Sequence, residues 1–259
     1  MNAADPGQLL VDRLWPDPAT GLPLDEVFAE IDRPAAADGR PWVATNMVTS
    51  IDGRAQVEGT AEGLSSRPDR RLMRLYRAAF DAVGSGVGTL RADDFYSTLP
   101  KELAERRRAR RLPPQPTAVL ICGASPIPTD RRWFGYEQPR IVVVGASSPH
   151  AREGGQLPGV ETWVAPTDRP DPPWILARLA ERGIRSLLLE GGPTTNAAFL
   201  AAGVLDELFW TIGPRVVAGD ALPMIASVRE PAGRELPVEA MLVSVHRSGD
   251  ELFLRYRFG

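Results

Sequence analysis

The segment of this chain best equipped for chemistry is Leu189-Glu190-Gly191-Gly192-Pro193-Thr194-Thr195-Asn196. A carboxylate ends an apolar run, and two glycines let a ligand or another backbone approach closely. Proline takes the first helical position, where its missing N–H is no loss. A helix opening there presents free amides and a partial positive charge, which suits a phosphate or pyrophosphate. The side chains of Thr194, Thr195 and Asn196 are further donors within reach. The same residues also fit an ordinary tight strand-to-helix connection, but a strand end in an open α/β sheet favours a ligand. Glu190 likewise has two readings. A carboxylate is costly to bury alone, so it either caps a backbone amide or faces the ring nitrogens of a ligand.

A second glycine cluster is Gly84-Ser85-Gly86-Val87-Gly88-Thr89, followed by Leu90-Arg91-Ala92-Asp93-Asp94. Its G-x-G-x-G-T spacing is not the G-x-G-x-x-G dinucleotide fingerprint, so it supplies only backbone donors at another strand end. The third constellation is Thr49-Ser50-Ile51-Asp52-Gly53-Arg54. Asp-Gly is a common turn pair, and the segment is either a plain turn or an active-site loop with Asp52 as proton donor or orienter.

Other reactive types point nowhere in particular. Arg106, Arg107, Arg108, Arg110 and Arg111 read as a solvated helix face rather than a nucleic-acid footprint, given the net charge of −3. The two histidines, His150 and His246, and the single Cys122 are dispersed and offer no metal-ligand set. Cys122 reads as a small buried hydrophobe. The absence of a Ser–His–acid or Cys–His arrangement leaves hydrolase chemistry without support.

The elements that must hold these residues follow from periodicity. Residues 41–48 form the first strand. Pro68–Phe80 is a helix with Leu72, Leu75, Tyr76 and Ala79 on one face. Residues 82–86 make a short strand, 101–111 a charged helix, and 117–122 and 140–144 two β-branched strands. A helix through Trp174, Ile175, Leu179 and Ala180 stops at Gly183, where a C′ glycine belongs. Ser186–Leu189 is apolar without alternation, as expected of a strand covered on both faces in a parallel sheet. A helix from Pro193 to about Ala202 and a strand over 205–212 complete a βαβ pattern. Residues 241–246 and 251–258 form an antiparallel hairpin turned at Arg247-Ser-Gly-Asp250. Residues 1–40, rich in Pro, Ala and Asp, read as an arm with one short helix near Leu24–Ile31. The remainder, 41–259, reads as one α/β domain with a mixed, mostly parallel sheet.

A 259-residue chain with 43% hydrophobic residues can bury a core without disulfides. One cysteine suits a reducing compartment. No signal peptide is evident, and no apolar run nears the ~18 residues that span a bilayer. These features predict a cytoplasmic protein without a membrane partner.

Taken in order, the motifs resemble the reductase domain of the riboflavin-pathway pyrimidine deaminase–reductases and its stand-alone relatives. The resemblance runs through Ser50-Ile-Asp-Gly53, Arg77-Ala-Ala-Phe-Asp-Ala-Val-Gly-Ser-Gly-Val-Gly-Thr89 and Ala92-Asp-Asp94. It continues through Glu181-Arg-Gly-Ile, Leu189-Glu-Gly-Gly-Pro193, Ala198-Phe-Leu, Val204-Leu-Asp-Glu207 and Gly219-Asp-Ala221. It implies a dihydrofolate-reductase-like fold, a homodimer and NADPH as cofactor. It also implies reduction of a ribosylamino to a ribitylamino group on a phosphorylated pyrimidine. By position, Glu190, Arg77 and Asn46 are implied substrate contacts. Gly191, Gly192, Pro193 and Thr194 are the implied cofactor-phosphate turn, and Val48, Thr49, Gly88, Thr89 and Asp93 are further cofactor contacts. Gly123 and Ser125 would lie near the adenosine 2′-phosphate. Asp52 and Glu190 are the expected catalytic pair, with no metal.

The resemblance breaks at three places. Asn46 stands where the family has a lysine, Gly63 where it has a tryptophan, and Pro100 near an expected arginine. A roomier, less basic pocket keeps a pterin or dihydrofolate reductase as the alternative enzyme, and a non-catalytic nucleotide-binding protein as the alternative of another class.

Overall fold

The computed structural model describes residues 8–36, 38–152, 157–226 and 237–259. The strands are β1 (Leu10–Trp15), β2 (Ala19–Pro23), β3 (Trp42–Thr49), β4 (Ala82–Gly86), β5 (Thr117–Gly123), β6 (Arg140–Val144), β7 (Glu161–Val164), β8 (Ser186–Leu189), β9 (Glu207–Ile212), β10 (Ala240–Ser248) and β11 (Glu251–Phe258). The α-helices are α1 (Leu24–Val27), α2 (Arg67–Ala79), α3 (Val87–Ala92), α4 (Lys101–Ala109), α5 (Pro172–Glu181) and α6 (Pro193–Ala201). All strands join one sheet in the order β2-β1-β10-β11-β9-β3-β8-β4-β5-β6-β7. From β9 to β7 every pairing is parallel, and from β9 outward to β2 every pairing is antiparallel.

The parallel strands are buried on both faces, as their unalternating sequences require. Leu187 and Leu189 of β8 pack with Ile175, Leu176, Leu179 and Phe199 of α5 and α6, whereas Leu188 points to Leu72, Leu75 and Tyr76 of α2. In β6, Ile141 and Val143 face the α5–α6 layer, and Val142 and Val144 face a third cluster with Leu90 of α3. Two helices start on side-chain caps. Ser66 accepts from the Asp69 amide at α2, and Asp171 accepts from the Trp174 amide at α5.

The N-terminal segment corrects the expectation of an arm. Residues 10–23 form two strands of the main sheet, β1 pairing with β10 so that Asp12 faces Arg247. Only Val11 of β1 is buried, so the strand leaves almost no periodicity in the sequence. The helix near Leu24 is shorter than expected and ends at Val27. The basic run on α4 is corrected in part. Arg107 is fully buried and donates to the carbonyls of Pro113, Ala78 and Phe80, tying α4 to the end of α2. No helix among the described residues is long and apolar enough to cross a membrane.

Candidate active site

The C-terminal ends of β3, β8, β4 and β5 open into a cavity of about 2150 Å³, lined also by residues of α2, α3 and α6. A drug-sized ligand fills roughly 300–1,000 Å³, so this space accommodates two molecules side by side.

Glu190 follows β8 directly and lines the cavity. Its amide donates to the Gly84 carbonyl at 2.8 Å, which fixes the backbone there. Its carboxylate takes a two-pronged grip from Arg77 of α2, Nε to Oε1 at 2.6 Å and Nη2 to Oε2 at 2.7 Å. The remaining guanidinium nitrogen, Nη1, donates to the Tyr96 carbonyl at 3.0 Å. Both side chains are nearly closed to solvent, at 7% and 10% exposure. The carboxylate takes a partner that neither reading named: it caps no amide among the described residues, and it is held by Arg77 at the cavity wall.

The glycine turns after β8 and β4 brace one another. The Gly86 amide donates to the Gly191 carbonyl at 3.0 Å. A Cβ on Gly86 would collide with Thr195 Oγ1, so any larger residue there requires the Thr195 side chain to move. A Cβ on Gly192 would stand 3.0 Å from Thr89 Oγ1. Gly191 and Gly192 are joined by a cis peptide bond. Gly192 is the N-cap of α6 and provides no side-chain cap for the amides of the first turn, and Thr194 and Thr195 line the cavity.

Most residues singled out by sequence converge here. Asn46, Val48, Arg77, Gly88, Thr89, Asp93, Gly123, Ser125, Glu190, Gly191, Gly192, Pro193 and Thr194 all line the cavity. Three do not. Thr49 is fully buried outside it, its hydroxyl accepting from Trp210 Nε1 and donating to the Ser50 carbonyl. Asn196 is buried against Thr45 Oγ1 and the Met224 carbonyl, anchoring α6 to β3 rather than offering a donor to a ligand.

Asp52 is the larger correction. It is not among the lining residues, and its carboxylate is consumed by the Ser50 hydroxyl and the amides of Val217 and Ala218. These hydrogen bonds, the Ser50 hydroxyl first, lower its pKa to about 2. An acid so placed is ionised at neutral pH and has no proton to give; it ties the 50–54 turn to the 215–218 segment.

Sequence reasoning missed two contributors. The segment Asp168-Arg169-Pro170 crosses the far end of the cavity beside Gly123, Ala124 and Ser125. It sits so close that a Cβ on Gly145 would lie 2.6 Å from the Asp168 Cα, and one on Gly123 2.9 Å from its carbonyl oxygen. Those two glycines, each after a strand, were the available signal. The second is Asp69 on α2, a buried carboxyl lining the wall below Met73 and Arg77. Nothing in its local sequence separates it from a solvated first-turn acid.

Comparison with known proteins agrees with this geometry. Residues 41–253 match the RibD C-terminal domain family. The chain is 29% identical over 221 residues to the 2,5-diamino-6-ribosylamino-4(3H)-pyrimidinone 5′-phosphate reductase of Methanothermobacter thermautotrophicus, covering 84% of this chain and 98% of that one. It is 28% identical to the riboflavin biosynthesis protein RibD of Bacillus amyloliquefaciens over 73% of this chain and 50% of that protein. Among solved structures, a pyrimidine reductase-like protein from Corynebacterium diphtheriae superposes with a TM-score of 0.72 at 21% identity, covering 85% of this chain and 92% of that one. On these grounds the chain belongs to the RibD C-terminal domain family.

Proposed function

We propose that this protein is an NADPH-dependent reductase of a phosphorylated ribosylaminopyrimidine, converting its C=N bond, in the ring-opened sugar, to CH–NH. The observation that carries the reading is the shared cavity, with an oriented carboxylate, Glu190, beside the uncapped start of α6. The names of the similar full-length reductases supply the substrate class.

The residues present fit a dinucleotide. Gly86, Gly191 and Gly192 keep the floor free of side chains, and α6 offers its amides to a pyrophosphate. At the far end Ser125 and Arg169 line the wall together, a cation and a hydroxyl suited to a 2′-phosphate. When bound, the reduced nicotinamide supplies the hydride. Glu190, held by Arg77, accepts from the donor edge of the pyrimidine and fixes its orientation. In place of the cations absent at Asn46 and Pro100, Arg70 and Arg74, both on α2 and both lining the cavity, supply positive charge for a sugar phosphate.

The deciding experiment is NADPH oxidation by the purified protein, with the ribosylaminopyrimidine phosphate and dihydrofolate assayed side by side. Turnover of the first alone is expected. Turnover of dihydrofolate alone would move the protein to the pterin reductases, and tight NADPH binding without turnover of either would make it a nucleotide-binding protein. The reading extends to a homodimer. Leu14, Trp15 and Met241 are exposed along the adjacent strands β1 and β10, and light scattering tests whether they bring two copies together.

A further inference from the structure

Reducing a C=N bond requires a proton at nitrogen as well as a hydride at carbon. Asp52, paired and ionised outside the cavity, cannot supply it. Glu190 is engaged through both oxygens by Arg77.

Glu62, Asp93, Asp94 and Asp168 also line the cavity but are partly or fully open to solvent, and among the described residues the further lining carboxyl that is buried is Asp69. Asp69 is 6% exposed, lies in the first turn of α2 and lines the wall together with Ser65. The Ser65 hydroxyl donates to its Oδ2, and the Thr211 side chain on β9 also bonds it. Behind it, at the start of β11, sits a second buried carboxyl, Glu251. One hydroxyl joins Glu251 to the backbone of Asp69. Ser66 Oγ accepts from the Asp69 amide at 3.1 Å and donates to Glu251 Oε2 at 2.5 Å. The other oxygen of Glu251, Oε1, is sealed from solvent and has no hydrogen-bond partner.

The geometry points to Asp69 as the proton donor of the reaction, with Glu251 as a positioning residue that holds the Asp69 backbone through Ser66. This inference rests on the reductase reading above. Burial raises the pKa of Asp69, with Glu190 adding to the rise and Ser65, Thr211 and Arg70 opposing it. Burial also pushes Glu251 up to about 7, with Asp69 adding to the rise and Ser66 and Arg70 opposing it. In the step itself, the substrate carbon gains the hydride and the nitrogen gains the Asp69 proton. The C=N bond becomes CH–NH, the reduced nicotinamide leaves oxidised, and Asp69, left as carboxylate, recovers a proton from water in the cavity.

The test uses Asp69→Asn, Glu251→Leu and Glu251→Gln in the full chain. Asp69→Asn is expected to retain NADPH affinity and melting temperature while kcat falls by about 10²–10⁴, the usual worth of a general acid. Glu251→Leu removes the acceptor that holds Ser66 against the Asp69 amide, so kcat falls while NADPH affinity holds, and Glu251→Gln, which keeps an acceptor there, recovers most of it. Infrared difference spectra of the protein without substrate give an independent readout. In Glu251→Gln a protonated carboxyl remains at neutral pH, and adding Asp69→Asn removes it. Full turnover by Asp69→Asn, or a Glu251→Gln spectrum without that band, overturns the assignment. A wild type inactive on the pyrimidine, with the band present in Glu251→Gln, instead indicts the substrate, not Asp69.

Discussion

Arg77 and Glu190 meet through two parallel hydrogen bonds of 2.6 and 2.7 Å across the wall between α2 and the end of β8. A fork-to-carboxylate pair fixes both plane and direction, which a lysine cannot reproduce. Removing one partner strands the other charge in a nearly closed site, a loss of roughly 3–5 kcal/mol. Arg77→Met is therefore expected to lower the urea midpoint strongly. Glu190→Gln keeps shape and one accepting oxygen, so it should lower stability less and pyrimidine turnover more. Equal stability losses in the two variants would contradict this division of roles.

Gly86 and Thr195 form the tightest steric pair in the cavity floor. Gly86→Ala introduces a Cβ into the space of Thr195 Oγ1, 2.4 Å away. The overpacking should cost about 1–3 kcal/mol and weaken NADPH binding, since Thr195 opens α6. Adding Thr195→Ala should restore most of the stability. If the double variant is no more stable than Gly86→Ala, the clash lies elsewhere.

Arg169 sets the preference for NADPH over NADH in the proposed function. Hydrogen bonds to a charged group contribute about 1.5–3 kcal/mol, so Arg169→Ala should raise the NADPH Kd about tenfold to a hundredfold and leave the NADH Kd nearly unchanged. Calorimetric titration with both nucleotides reads the difference, and an equal loss for both would remove the assignment.

Asp52 governs acid behaviour rather than catalysis. Its pKa is lowered from 3.8 to about 2 by the Ser50 hydroxyl and the Val217 and Ala218 amides. A carboxylate whose pKa falls on folding stabilises the native state above its unfolded value, and that contribution fades as pH drops through the native one. Between about pH 4 and 2 the wild type should therefore lose stability more steeply than Asp52→Asn. Turnover of the variant at neutral pH should stay within about twofold of the wild type. A large fall in kcat with stability unchanged would return Asp52 to the active site.

The parallel half of the sheet was plain in the sequence because strands such as Ser186–Leu189 are apolar throughout and lie between helices with clear faces and stops. The antiparallel extension was half visible. The β10–β11 hairpin carried its turn residues, but β1 and β2 are mostly exposed and show no pattern. At the site, glycines and the Glu190 carboxylate were legible because strand-end geometry demands those types. Asp69 and Asp52 were not, since an acid in a first helical turn or a turn loop looks the same whether it faces water, a cavity or a cage of donors. Only the tertiary neighbours, Glu251 behind one and Val217 and Ala218 around the other, separate them.

The strand order has a kinetic consequence. β3 carries one edge of the cavity, yet it pairs with β8 and β9, so Val43 waits for Leu187 and Ala44 for Glu207. Farther out, Asp12 waits for Arg247. Contacts so distant along the chain slow folding, because a long loop must close before any pairing rewards it. During synthesis β3 emerges early and stays an unpaired, apolar strand until most of the chain has followed. The half-made protein therefore exposes a sticky edge at what becomes the cavity wall, and dependence on chaperones is expected to be greatest in that interval.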